Sequence, residues 1–407
     1  KKSFFLTWVF FIMMGQMQID AAEKDIRSAS QKVVQISNVM QEIQRGRETG
    51  EAHYFSRAKL WLAEMTVTKQ NEGKILGLKA WIALFQHEFQ DAAALAEQAR
   101  RLQPRVPFHY GVISDAALEL GDYALALSAT QKMLDLKPDQ GALSRAAHLR
   151  DLHGDLEGAI VLWKRAIQAG APAAENTAWC EVELGDVHLK QGQIETAQSY
   201  YVAALKRHPG NHRAFAHLAR VQAAQGKTNK AEQSYKQAIA TLPLPHYIAA
   251  LGDLYLEMNR PETAEAQFKQ VALLAKLDTL TANRPNRDLA FFYANHNRQL
   301  DEALRIAEQA LAQRKDIITY DILAWVYFKL GRYPEAESAI TEALRLDTPD
   351  AQMQFHAGMI AQALGKTAAA QKYLSTALHQ NPSFDLKKAR IAKQQLLQLT
   401  SIKGESS

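Results

Sequence analysis

Alanine recurs along this chain at a nearly constant interval, and that interval restricts the fold more than any other feature. Seven of the nine intervals between ten such alanines are 33 or 34 residues long, and the other two are 38 and 39. A fixed period of this length is typical of stacked helical hairpins, in which each repeat adds one two-helix unit. The ten residues are Ala58, Ala92, Ala126, Ala159, Ala197, Ala231, Ala264, Ala303, Ala336 and Ala370.

One repeat, residues 317–349, shows how the pattern builds a hairpin. Gly331 separates two stretches in which apolar residues follow a helical period, and a glycine allows a sharp turn there. In the second stretch, Ala336 and Ala343 lie on one face of the helix. Larger side chains would overpack the contact between the two helices, at a cost of about 1–3 kcal/mol. The pattern therefore predicts an all-α chain.

The order Leu-Gly, Tyr, Gly, Ala, aromatic, Ala and Pro in these units resembles the tetratricopeptide repeat. It is clearest in 183–209 and 250–271, and the resemblance extends over residues 32–382. His53, His87 and Asn259 depart from the pattern, because they stand where a turn glycine is expected. The residues that carry the resemblance are Gly185 or Gly252, Tyr255, Gly192, Ala197 or Ala264, Tyr201 or Phe268, Ala204 and Pro209.

The resemblance implies a right-handed α-solenoid of about ten hairpins with a C-terminal capping helix, similar to exported bacterial arrays of this repeat. The expected organisation is a solenoid over 23–382, a capping helix over 383–400 and a disordered tail over 401–407. Residues 1–22 precede the solenoid as a signal peptide or an N-terminal anchor.

Three interpretations of the N-terminus remain open. Two lysines precede an apolar run, Phe4–Met14, and small residues follow at Ala21 and Ala22, which is typical of a secretory signal peptide. A helix over this run would be about 16 Å long, too short for a hydrocarbon layer of about 30 Å. The alternatives are an uncleaved anchor, and a helix packed on the body of a cytosolic protein. We expect an exported chain, periplasmic or secreted.

The sequence motifs that suggest a cofactor or metal site are incomplete. Gly-Lys-Thr occurs at 226–228 and 365–367, but Val221 and Ile360 stand where a phosphate-binding loop needs its first glycine. His212 and His217 diverge by about 140° on a helix, so they do not converge on one ion. We therefore expect no catalytic residue, no cofactor and no metal site.

Charge composition argues against a nucleic-acid partner. The chain has 48 lysines and arginines against 43 aspartates and glutamates, a small excess spread over its length. Proteins that bind nucleic acids usually concentrate basic residues on one face. The single cysteine, Cys180, permits no intramolecular disulfide.

These exclusions leave a binding surface. The resemblance implies that fixed positions on the first helix of each repeat line a concave groove, which would bind a protein or a peptide. We expect a non-catalytic scaffold; the alternatives are a regulatory subunit of an enzyme and a cytosolic scaffold. The candidate groove residues are Trp179, Asp186, Arg213, Arg220, His246, Asp253, Arg284, Arg287, Phe291, Asp321, Trp325 and Phe328.

Overall fold

A computed structural model of the chain describes residues 35–281 and 286–404. Over these ranges the chain forms 21 α-helices and no strands, which confirms the predicted all-α fold. The described residues form two compact units, 35–112 and 113–404, and the boundary between them falls inside α5. The predicted segment 1–22 lies outside the described residues.

The helices follow one another as hairpins, with odd-numbered helices as the first member of each pair. Their bounds are α1 Ile36–Thr49, α2 Ala52–Glu64, α3 Glu72–Phe85, α4 Phe89–Leu102, α5 Pro107–Leu120, α6 Tyr123–Leu136, α7 Gln140–Leu152, α8 Leu156–Ala169, α9 Glu175–Lys190, α10 Ile194–Arg207, α11 His212–Ala224, α12 Thr228–Thr241, α13 Pro245–Glu257, α14 Pro261–Thr281, α15 Arg287–Asn295, α16 Leu300–Gln313, α17 Ile317–Lys329, α18 Tyr333–Ala343, α19 Ala351–Ala363, α20 Thr367–Gln380 and α21 Leu386–Gly404. The last helix extends beyond the segment 383–400 expected for the cap.

Close approach of the two helices explains the recurring small residues. All ten of the periodic alanines are completely buried, each on the second helix of its hairpin. The first helices contribute small residues as well. A Cβ added to Gly185 would lie 2.5 Å from the Tyr201 ring, and one added to Gly252 would lie 2.4 Å from the Phe268 ring. The spacing therefore reports helix packing, since larger side chains cannot fit there without displacing the partner helix.

The turns between paired helices use left-handed backbone. Gly331 has φ 75°, as expected for a turn glycine. His87 and Asn259, which replace glycine, adopt the same conformation, each with φ 56°. In the first hairpin, Gly50 is the left-handed residue with φ 72°, and His53 lies inside α2.

Unit 1 is built around one apolar core. Val39, Ile43, Leu62 and Ile75, from its first three helices, are buried there almost completely. Beside this core the carboxylate of Glu42 is buried and accepts a hydrogen bond of 2.6 Å from Nε of Arg57. This ion pair links the two helices of the first hairpin.

Within unit 2, the hairpins wind until one turn of the superhelix meets the next. The backbone N–H of Lys315, which precedes α17, donates to the carbonyl of Glu119 in α5 at 3.0 Å. The hydroxyl of Thr348, which precedes α19, donates to the carbonyl of Leu152 in α7 at 2.5 Å. Each contact joins a hairpin to the one six positions later.

A third contact repeats this arrangement one hairpin further along. Nδ2 of Asn381, which precedes α21, donates to the carbonyl of Leu189 in α9 at 2.8 Å. The last carbonyls of a helix lack partners within that helix, and those of Glu119 and Leu152 receive theirs from the following turn. The Leu189 carbonyl accepts from Asn381 in addition to the N–H of Gly192, which lies 3.0 Å away just after α9. We call the three contacts the seam. Gly121 lies at the seam too, where an added Cβ would be 2.4 Å from the Lys315 carbonyl oxygen.

We expect Thr348→Val to destabilise unit 2 by about 1–3 kcal/mol, because the buried carbonyl of Leu152 would lose its donor. Urea denaturation followed by circular dichroism measures this loss. Thr376→Val is the matched control: its hydroxyl donates to a carbonyl of its own helix, α20, at an exposed position. A change of less than about 0.5 kcal/mol is expected for the control. Equal effects of both substitutions would contradict the role assigned to the seam.

Candidate functional site

The residues predicted to line a groove lie on the first helices of unit 2. We call the side on which these helices meet one another and α21 the inner face. Arg284 lies outside the described residues, so the structure does not place it. The other eleven are distributed as Trp179 and Asp186 on α9, Arg213 and Arg220 on α11, His246 and Asp253 on α13, Arg287 and Phe291 on α15, and Asp321, Trp325 and Phe328 on α17.

Asp186 is the centre of a network of polar side chains on α9, α10 and α11. Its Oδ1 accepts a hydrogen bond from the Tyr201 hydroxyl at 2.6 Å, and Nδ1 of His217 lies 2.6 Å from the same oxygen. Arg213 approaches Glu183 at 3.8 Å. We call these five residues the polar cluster.

The two carboxyl groups of the polar cluster differ in acidity. Burial works to raise the pKa of Asp186, but the His217 imidazole and the hydrogen bonds from His217 and Tyr201 outweigh it and leave that pKa below its usual value. Burial, reinforced by the negative charge of Asp186, raises the pKa of Glu183. Asp186 is therefore the ionised partner, committed to two donors of its own chain, and Glu183 holds its proton more strongly.

Several charged side chains of the inner face are about half exposed, and in one of their pairs the two groups are too far apart for a hydrogen bond. The side chains of His246 and Asp288 approach at 3.6 Å and are 48% and 51% exposed. Asp253 is 57% exposed and meets Nε2 of His296 at 2.9 Å. Arg213 is 51% exposed. These side chains are accessible to a molecule in the groove.

Trp325 is the centre of an aromatic stack on α17 and α19. Its ring lies 4.8 Å from that of Phe328 and 4.2 Å from that of His356, with interplanar angles of 10° and 17°. The indole N–H donates to Oδ1 of Asn295 at 2.9 Å. We call Trp325, Phe328 and His356, together with Asp321, the aromatic cluster.

Asp321 anchors this cluster through its contact with His356. Its Oδ1 lies 2.8 Å from Nδ1 of His356, and both side chains are buried. Burial lowers the pKa of His356, so the ring is neutral and its Nδ1–H donates to the carboxylate. Trp325 is also buried, at 4% exposure. Asp321 and Trp325 thus contact neighbouring repeats, and their contact with a partner stays a prediction.

The remaining candidates also make contacts within unit 2. The Arg287 guanidinium reaches both carboxylate oxygens of Asp316, at 2.9 and 2.8 Å, and thereby links α15 to the start of α17. The ring of Trp179 packs edge-on against Trp163 at 5.4 Å. Arg220 donates to the carbonyl of Phe384 at 2.9 Å.

Sequence reasoning missed two members of the site, His356 and Lys388. Both are buried, and both lie within 6.0 Å of the Trp325 ring. Their spacing from Trp325 is close to one and two repeats, which is the signal that could have found them. The predicted groove residues extend no further along the chain than α17, whereas His356 and Lys388 lie on the next two first helices, α19 and α21.

The described residues form neither a metal-binding cluster nor a membrane-spanning helix. In the two described ranges, no group of three or more His, Cys, Asp or Glu side chains is arranged to hold a metal ion. None of the helices in the described part of the chain combines the length and the apolar character needed to cross a bilayer. Unit 1 contains a shallow cleft of about 490 Å³, lined by residues such as Lys79, Gln86 and Asp91.

Family comparison agrees with the fold. Residues 78–141, 182–244 and 323–383 match the tetratricopeptide repeat family. Together with the hairpin array described above, these matches show tetratricopeptide repeats in three regions of the chain. No curated protein sequence is a significant match.

Several solved structures are similar to this chain. The human IFIT1 dimer with PPP-AAAA is 14% identical, with 89% of this chain and 87% of that chain covered and a TM-score of 0.50. PilF of Pseudomonas aeruginosa is 14% identical, with 51% and 93% covered and a TM-score of 0.43. A tetratricopeptide repeat protein from Parabacteroides merdae is 24% identical, with 64% and 98% covered and a TM-score of 0.35. At these identities the likeness concerns the fold alone.

Acid is expected to weaken unit 2 through His212. Burial, reinforced by the positive charge of Arg213, lowers the pKa of His212 to about 4, below its unfolded value of about 6.5. Between these two values, His212 is protonated in the unfolded chain and neutral in the folded chain. Stability should fall as the pH drops from about 6.5 towards 4.

We expect His212→Phe to reduce this acid sensitivity, since phenylalanine keeps the ring beside Tyr247 and cannot take up a proton. The measurement is the difference between the free energies of unfolding, from urea denaturation at pH 7.5 and at pH 5.0. The wild type should lose on the order of 1 kcal/mol more than the variant over this range. Identical losses would show that His212 titrates normally in the folded chain.

Proposed function

We propose that this protein is a non-catalytic scaffold that binds a protein or peptide on the inner face of unit 2. The tetratricopeptide fold is in general a scaffold for protein interactions, and this coarser statement follows from the family. The finer proposal is supported by one observation, the loosely paired charged residues on α11, α13 and α15.

Distance and exposure make those residues suited to a partner. Arg213 and Glu183 approach at 3.8 Å, and His246 and Asp288 at 3.6 Å. Both distances exceed that of a hydrogen bond. An exposed ion pair such as that of His246 and Asp288 contributes only about 0–1 kcal/mol, and in the other pair the Arg213 side chain is half exposed. A partner that offers better-placed charges can therefore replace these pairs at small cost, and arginine is among the residues that most often anchor interfaces.

Site-specific crosslinking tests the proposal. We expect a photoreactive amino acid in place of Arg213 to crosslink a small, discrete set of proteins in cells that produce the chain. The matched control places the same amino acid at Lys164, which is exposed on α8, a second helix. The control should yield none of the same products. No crosslink at Arg213, or the same products from both positions, would contradict binding on the inner face.

We also propose that the chain is exported. The support is the sequence of residues 1–22, with two lysines, an apolar run and small residues. N-terminal sequencing of the mature protein should find a chain that begins at Ala22. An intact Lys1 in the cytosolic fraction would contradict export and favour the cytosolic scaffold.

A further inference from the structure

The segment Asn381–Arg390, at the start of α21, contacts the first helices of six consecutive hairpins. Two of the contacts are hydrogen bonds, one from the side chain of Asn381 and one to the backbone of the segment. Asn381 donates to the Leu189 carbonyl of α9 at 2.8 Å, and Arg220 of α11 donates to the Phe384 carbonyl at 2.9 Å. The others are made by three side chains of the segment.

Phe384, Lys388 and Arg390 reach the remaining four first helices. The Phe384 ring is buried and lies 5.8 Å from that of Phe355 on α19. Both guanidinium nitrogens of Arg390 bind the carboxylate of Glu257 at the end of α13, at 2.8 and 2.7 Å.

Lys388 makes the most central contacts. Its Nζ lies 4.6 Å from the centre of the Phe291 ring on α15 and 6.0 Å from that of Trp325 on α17. The same atom donates to Gln352 of α19 at 3.3 Å. A segment can touch six successive helices only where those helices converge, so it occupies the inner face.

The surroundings of Lys388 are complementary to a cation. Burial lowers its pKa, and the carboxylates of Asp385, Asp321, Asp253 and Asp350 oppose that change. Three of these four belong to the first helices or to the loop before α19 and remain when the segment leaves. Aromatic faces at Phe291 and Trp325 complete a site for an ammonium group. This part of the inner face therefore selects a positively charged residue flanked by an aromatic one.

We propose that the segment 383–390 is a built-in occupant of the inner face, and that the partner of this surface is a helix of another protein with the same chemistry. Such a partner presents an aromatic residue just before its helix begins, and on the helix a lysine four positions and an arginine six positions after that aromatic residue. It binds by displacing the start of α21. The inference rests on the proposed function, since it names the partner class for the same face.

The contacts that hold the segment are suited to exchange. The pair formed by Arg390 and Glu257 lies at the surface, where the arginine side chain is 64% exposed. The loop before α21, which contains Pro382 and Ser383, separates this helix from α20. Displacement removes the contacts of Phe384, Lys388 and Arg390, and the incoming helix restores them.

The test uses the full-length chain and a fluorescent peptide with the sequence of residues 382–404. Phe384→Ala combined with Arg390→Glu in the chain weakens the docking of α21. We expect the peptide to bind this variant at least tenfold more tightly than the wild type, by fluorescence anisotropy. A peptide carrying Lys388→Glu and Arg390→Glu should lose that binding, whereas Lys393→Glu, at an exposed position of α21, should leave it unchanged.

Hydrogen exchange of α21 keeps the result interpretable. Faster exchange of residues 384–399 in the variant confirms that the segment is released. A released segment without peptide binding overturns the proposal. So does a segment that stays protected both in this variant and in Lys388→Glu, because the contacts above would then not hold it. A variant that dimerises by exchanging α21 would identify a second copy as the occupant and overturn the assignment to another protein.

The two proposals fail separately. Loss of peptide binding while Arg213 still crosslinks its partners would remove the inference about α21 and leave the scaffold proposal. Absence of specific crosslinks at Arg213 would remove the scaffold proposal itself. Binding of the peptide would then show only that the inner face accepts this chain's own segment.

Discussion

Three carbonyl groups at the C-terminal ends of first helices hold the architecture of unit 2 together. The carbonyls of Glu119, Leu152 and Leu189 each accept a hydrogen bond from a hairpin six positions later, and that of Leu189 accepts a second one from the N–H of Gly192. Helix ends in a linear array usually leave such groups to water. Here the following superhelical turn supplies the donors, so the stability of a hairpin depends on a distant hairpin as well as on its immediate neighbours.

The inner face follows from this closure. With six hairpins in each turn, consecutive first helices converge on a narrow axis, and their side chains meet one another. Asp321 is bound to His356, and Trp325 is stacked between Phe328 and His356. The start of α21 reaches the same axis. Exposed charges persist on α11, α13 and α15, and this is why the proposed binding surface lies there.

The sequence predicted the hairpins well because their contacts are local. Ala264 and Gly252 belong to one repeat, and the period shows directly that they must be small. The seam could not be predicted in this way. It depends on the sum of small rotations between neighbouring hairpins, and no single repeat contains that sum. The donors Lys315, Thr348 and Asn381 recur every 33 residues, but nothing local says which carbonyls they meet.

Candidate site residues were predicted by position and not by contact. The repeat register placed Asp186, Arg213 and Trp325 on first helices, where the structure finds them. It could not distinguish an exposed position from one covered by the next turn or by α21. Arg213 is half exposed, whereas Trp325 is buried against His356. That difference arises from tertiary packing, which a pattern of residue types does not predict.

Amide hydrogen exchange at the seam tests the central claim most directly. The N–H groups of Lys315 and Ile317 precede or begin α17, where amides normally exchange fast because helix starts lack internal acceptors. Here they donate to the Glu119 carbonyl and the Tyr123 hydroxyl, each at 3.0 Å. The account predicts protection comparable to that of amides in the middle of α17. Exchange as fast as at His246, the second residue of α13, which makes no seam contact among the described residues, would contradict it.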